Sequence, residues 1–207
     1  MATNCPVNRS IGALITALAV SNLLVVSTAA SAGQKPEVQR LFQSGSFDEA
    51  VQAAQNGDPA TLYVAAQAMV KGEQVDRARE QFAQLKNTDN QGWKLVAESG
   101  EALLTGDSAR AVTLARQATE ASGDNAFAFY QLGVSASRAN DWGTATTAFG
   151  RALELKPDFA YAHYYSALAH QRQRQLPAAA EHFSAFLRLA PDAPERQAVQ
   201  AIMRTLK

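Results

Sequence analysis

The chain has 207 residues, 47% of them apolar and 18% charged, a balance that belongs to folded globular proteins rather than disordered ones. Nineteen Lys and Arg offset nineteen Asp and Glu, so no basic excess is present to track a phosphate backbone, which argues against nucleic acid as a partner. The single cysteine, Cys5, excludes an internal disulfide framework.

The first 32 residues stand apart from this balance. Arg9 is their only charge, Ile11 to Val26 is almost wholly apolar, and Ser-Thr-Ala-Ala-Ser-Ala follows before Gly33. A basic start, an apolar run and an Ala-x-Ala ending make a secretory signal peptide, with cleavage expected after Ala32. The run is short for a spanning helix, which needs about 20 apolar residues; an uncleaved anchor is the alternative, and the only membrane contact the sequence offers. Cys5 precedes the apolar run, so it is not placed like the cysteine of a bacterial lipoprotein signal. The expected product is periplasmic or secreted. It carries 18 basic and 19 acidic residues and no cysteine.

From about Lys35 the chain reads as helix, turn, helix throughout, with no period-two alternation of the kind a half-buried strand requires. Leu41, Phe42, Gly45, Ala50 and Ala54 form a short, degenerate unit over 35–58. Residues 59–91 carry Leu62, Ala66, Ala78 and Phe82; residues 92–125 carry Leu95, Ala102, Ala111 and Ala118. The sharpest unit is 126–159. Phe129, Leu132, Gly133 and Ala136 share one face of its first helix, Asn140-Asp141 breaks the chain, and Ala145, Phe149 and Ala152 share a face of the second. Pro157 ends that helix, because proline lacks an N–H and disfavours helix in the residue before it. Residues 160–193 repeat the pattern with Ala167, Ala179, Phe183 and Pro191, putting Ser166 where Leu is expected and His163 and His170 in two aromatic slots. Asp58-Pro59, Asp124-Asn125 and Asp158 mark helix starts. Asp192-Ala-Pro-Glu195 reads as a capping-box start for a last helix at 194–207, with Val199, Ile202, Met203 and Leu206 on one face.

A period of 34 residues with an aromatic, a Leu-Gly pair and a small residue on one helix, then Ala, Phe, Ala and a closing Pro, resembles the tetratricopeptide repeat. The resemblance covers about residues 35–193. It implies an all-α, right-handed α-solenoid of antiparallel helix pairs, about four repeats plus the degenerate one, with the terminal helix covering the last apolar face. It also implies that the first helices of successive repeats line a concave groove that holds peptides or parts of partner proteins.

In that register the inward faces carry an aromatic ladder. Trp93, Phe127 and Tyr161 form the first rung, and Tyr63, Tyr130 and Tyr164 lie one turn on. A basic ladder of Lys71, Arg138 and Arg172 runs beside it, interrupted by Leu104. Aromatic rings and guanidinium groups are the chemistry of interface hot spots. The expected partner-binding residues are therefore Tyr63, Trp93, Phe127, Tyr130, Arg138, Tyr161, Tyr164 and Arg172. Aromatics at these positions also serve packing between repeats. The Lys and Asn clamp by which related repeats hold the carboxylate of cytosolic chaperones is missing, since Tyr130, Val134, Tyr164 and Leu168 occupy its positions.

No Gly-rich phosphate loop and no nucleophile-elbow serine is present, so no catalytic or cofactor-binding residue is assigned. His163 and His170 are seven residues apart on one helix, about 10 Å along its axis. That is too far for one ion without other ligands; both read as part-buried fillers of aromatic slots, and His182 is given no role. The function expected is a non-catalytic exported scaffold or adaptor that binds a peptide or helix of a partner protein in a cell-envelope complex. The alternatives are a self-assembling homo-oligomeric module and an exported small-ligand or carbohydrate-binding protein.

Overall fold

The computed structural model describes residues 37–54 and 57–206; the expected signal peptide and its cleavage point lie outside them. Residues 37–43 form α1. There follow α2 (Phe47–Ala53), α3 (Pro59–Lys71), α4 (Val75–Lys86), α5 (Gln91–Leu104), α6 (Ser108–Ala121), α7 (Ala126–Arg138), α8 (Trp142–Leu155), α9 (Ala160–Arg172), α10 (Leu176–Leu189) and α11 (Arg196–Thr205). Among the described residues there is no strand. No helix among them is long and apolar enough to cross a membrane. The fold is an α-solenoid of helix pairs, α3–α4, α5–α6, α7–α8 and α9–α10, preceded by the short pair α1–α2.

Local sequence sets the helix boundaries. Side chains of Asp58, Asn90, Asp107, Asn125 and Asp141 accept from backbone N–H groups in the first turns of α3, α5, α6, α7 and α8, each cap stabilising its helix by about 1 kcal/mol. Asp158 does not cap α9, whose N-cap is Phe159 with no side-chain bond; Asp158 pairs with Lys156 instead, at 2.9 Å. Pro157 and Pro191 follow the ends of α8 and α10 by two residues. Inside each repeat the turn between helices needs one left-handed residue. Gly106 supplies it freely at φ 80°, while Glu73, Asn140 and Arg174 adopt φ 58–60° at the equivalent points.

Buried aromatic rings hold the helices together, two of them lodged against glycines. Phe82, Phe149 and Phe183, one on each of α4, α8 and α10, are at most 1% exposed. Each burial contributes about 1.5–3 kcal/mol. A Cβ at Gly100 would stand 2.4 Å from the Phe82 ring, and one at Gly133 2.5 Å from the Phe149 ring, so glycine is what allows these rings to seat. Where α6 has Ala115 in the ring's place, α5 carries Ser99 at the position equivalent to Gly133.

The array curves until its two ends touch. Phe42 of α1 packs on Tyr161 of α9, with ring centroids 4.7 Å apart. Pro194 closes on Gly45, where a side chain would stand 2.7 Å from Pro194 Cγ. Lys71 at the end of α3 forms an ion pair with Glu195, and the Tyr161 hydroxyl donates to the same carboxylate at 3.0 Å. This explains why the expected capping box does not form. Glu195 is the N-cap position of α11 but makes no side-chain cap bond, because its carboxylate is committed to Lys71 and Tyr161. The last helix is correspondingly shorter than 194–207. It still covers α10, with Val199 buried and Ile202, Met203 and Leu206 packed on the core.

Candidate functional site

The concave side divides into two zones. Toward the N-terminal ends of the odd-numbered helices the space is filled by rings. Tyr63 lies between Phe127 and Tyr130 at centroid distances of 5.6 and 6.3 Å, Trp93 meets Phe127 at 5.7 Å, and Tyr130 stacks on Phe159 at 4.6 Å. Tyr161 contacts Phe42, Tyr164 and Phe186. Tyr63, Tyr130 and Tyr161 are 1%, 2% and 1% exposed, which puts them inside the closed aromatic core rather than on a free groove wall. Burial raises the phenol pKa of all three, with the Glu195 carboxylate adding to the effect at Tyr161. Trp93, Phe127 and Tyr164 are half-buried against the same core. The physical cause is the closure: in an open array these rings would face a groove, whereas here opposite walls meet.

A buried polar spine crosses this zone. The Tyr63 hydroxyl donates to Gln131 Oε1 at 2.7 Å, and Gln67 Nε2 donates to the same oxygen at 3.4 Å. Gln131 Nε2 donates to Ser99 Oγ at 3.0 Å, and Ser99 donates its one proton to the Ala111 carbonyl at 2.9 Å. Ser135, 3.1 Å from Ser99, must then be the donor in that contact. Sequence periodicity did not single out Gln131, although a glutamine between Tyr130 and Leu132 on a packed helix was the available signal.

Toward the C-terminal ends of the same helices the walls stay apart and leave a cleft of about 290 Å³. Gln67, Val70 and Lys71 of α3, Leu103 and Leu104 of α5, Val134, Ser137 and Arg138 of α7, and Leu168 and Arg172 of α9 line it, with Trp142 at the start of α8 and Tyr165 and Phe82 below. These are the last-turn residues of the inward faces, so Arg138 and Arg172 are the two expected contact residues that reach the open space. Both are exposed. Neither forms an ion pair with any described residue. The Arg172 guanidinium lies 5.6 Å over the Trp142 ring. Gln173 Nε2, bonded to the Trp142 carbonyl and to Thr146 Oγ1, fastens α9 to α8 beside it. Lys71, the third cation, is engaged by Glu195 and shielded enough that burial lowers its pKa.

The histidines cluster on another face. His163 Nδ1 stands 3.0 Å from His182 Nδ1, and the His170 and His182 rings are stacked at 5.4 Å and 13°. Burial, then the neighbouring imidazoles, push His182 down to about 4, and burial lowers His163. The seven-residue spacing along α9 relates only His163 and His170, whereas His182 arrives from α10. Among the described residues no group of three or more His, Cys, Asp or Glu is arranged to hold a metal ion.

Comparison with known proteins bears on the fold. The tetratricopeptide repeat family model matches residues 130–194. No curated protein sequence matches the chain. Among solved structures, the chain is similar to TTC0263, a thermophilic TPR protein of Thermus thermophilus. That match has 17% identity and a TM-score of 0.60 and covers 85% of this chain and 98% of that one. It is also similar to YrrB, described as a TPR protein with an unusual peptide-binding site, at 15% identity and a TM-score of 0.52, covering 87% and 97%. The first TPR of Spaghetti (RPAP3), solved bound to the HSP90 peptide SRMEEVD, matches at 15% identity and a TM-score of 0.53, covering 57% of this chain and 92% of that one. At these identities the likeness is one of fold. Residues 130–194 thus match the tetratricopeptide repeat, and most of the chain shares the fold of tetratricopeptide repeat proteins.

Proposed function

We propose that the chain is a non-catalytic protein-interaction scaffold whose cleft holds a short segment of a partner bearing acidic and apolar side chains. One observation carries this reading. Arg138 and Arg172 stand without ion-pair partners among the described residues, above a floor of Val70, Leu103, Leu104, Val134 and Leu168. Unpaired guanidinium groups beside apolar surface recognise a carboxylate by charge-assisted hydrogen bonds while the floor takes its apolar neighbour. Two structural neighbours are a repeat domain solved with a bound peptide and a protein with an unusual peptide-binding site, which supports the same class of ligand. The signal-peptide pattern of residues 1–32 supports the further proposal that this scaffold is exported and serves a cell-envelope complex.

Crosslinking and pull-down from cell envelopes tests the scaffold. Leu168→Asp is expected to lose the partner, and Arg138→Gln with Arg172→Gln to weaken it by about 3–6 kcal/mol, at about 1.5–3 kcal/mol per charge-assisted bond, with a reduced dependence on salt. A partner retained by all these variants sinks the reading. Mass spectrometry of the chain from fractionated cells tests export: a new N-terminus at Gly33 outside the cytoplasm is expected, and an intact Met1 chain confined to the cytoplasm would refute it.

A further inference from the structure

We propose that His163 and His182 form a binding site for one late first-row transition-metal dication, with copper(II) held most tightly. The two Nδ1 atoms come from different helices, α9 and α10, and stand 3.0 Å apart with ring centroids 5.2 Å apart. Two imidazole nitrogens on one tetrahedral ion at 2.0–2.1 Å are about 3.3 Å from each other. Small side-chain rotations and a few tenths of an ångström convert one arrangement into the other.

The hydrogen bonds show what occupies the space between the nitrogens. The Pro157 carbonyl, 3.1 Å from His163 Nε2, can only accept, so Nε2 carries the proton of the neutral ring and His163 Nδ1 presents a lone pair. His182 Nδ1–H must then donate to it. A metal ion replaces that one proton. His182 Nε2 makes no hydrogen bond with any described residue, so the proton transfers there as the ring changes tautomer. Two neutral imidazoles then face the ion, with no net proton released. The surroundings already fix both rings: Pro157 anchors His163, and the His170 ring, held through Nδ1 by Gln175 at 2.5 Å, lies parallel to His182. Hydrogen bonding of this kind to the non-ligating nitrogen is what orients a metal-bound histidine. No third His, Cys, Asp or Glu completes the set among the described residues, so water fills the other positions. Imidazole donors favour copper, nickel and zinc, in the order copper above nickel and copper above zinc.

Calorimetric titration with copper(II), nickel(II) and zinc(II) chlorides tests the site. The full chain is used with Cys5→Ser, which removes its one thiol from competition. One ion per chain is expected, bound most tightly for copper, lost in His163→Ala and in His182→Gln, and retained in His170→Ala. A second measurement does not depend on the variants folding. Substoichiometric copper(II) added to the Cys5→Ser chain with all three histidines intact is expected to broaden the His163 and His182 ring resonances before all others. Absence of binding, binding unchanged in His163→Ala, or broadening centred elsewhere overturns the proposal and leaves the pair as a hydrogen bond between repeat helices.

Discussion

Replacing Gln131 by leucine tests whether the polar spine holds opposite walls of the solenoid together. Gln131 is fully buried, and its Oε1 is the acceptor for the Tyr63 hydroxyl, itself 1% exposed, from a helix two repeats away. Leucine removes that acceptor and leaves the buried hydroxyl with only the neighbouring Gln67 side chain, at a cost of about 1–3 kcal/mol. Ser99 loses one donor but keeps its bonds to Ala111 and Ser135, so it adds little. For a chain of this size about 2 kcal/mol lowers Tm by roughly 4–8 °C. Tyr63→Phe alone costs about 1 kcal/mol, because Gln131 still accepts from Gln67. The double variant is the informative one. With both partners apolar no buried group is orphaned, so its loss falls short of the sum of the single losses by about 1 kcal/mol or more. Urea unfolding followed by far-UV circular dichroism measures all three. Additive losses, or a Gln131→Leu chain as stable as the parent, would refute the idea that Tyr63 and Gln131 act as a pair.

Two further outcomes concern the turns and the closure. Arg174→Gly places glycine where φ is 60°. Relief of the left-handed conformation, about 1–2 kcal/mol, matches or exceeds the added freedom of the unfolded chain, about 0.4–1 kcal/mol, so Tm in a thermal melt should hold or rise by a few degrees; a clear fall contradicts the turn argument. Glu195→Ala leaves Lys71 and the Tyr161 hydroxyl without their shared carboxylate. A loss of about 2–3 kcal/mol is expected, and hydrogen exchange should rise first in α1 and α11; an unchanged exchange pattern would mean that the ends are held by apolar contact alone.

Particular residues show how far the sequence could be read. Phe149, Ala145, Ala152 and Pro157 at a fixed spacing identify a helix pair because they are local: each lies within one turn or one repeat of the residues it constrains. The same register places Arg138 and Arg172 on the cleft, one repeat apart on neighbouring helices. It could not distinguish Tyr130 on an open wall from Tyr130 against Phe159, since that depends on how far the array curves. Nor could it join His182 to His163, which face each other only because α10 returns along α9. Glu195 looked like a helix cap by position and became an ion-pair partner, because Lys71, 124 residues away, arrives beside it.

The sequence by itself determined the helices, their pairing and the repeat, because capping, proline stops and amphipathic spacing act over a few residues and do not depend on the rest of the chain. Only the tertiary structure decided that the two ends meet, that the aromatic ladder closes into a core, and that a small cleft stays open beside two arginines without ion-pair partners among the described residues. Small rotations between successive repeats accumulate along the array, and no local pattern records their sum.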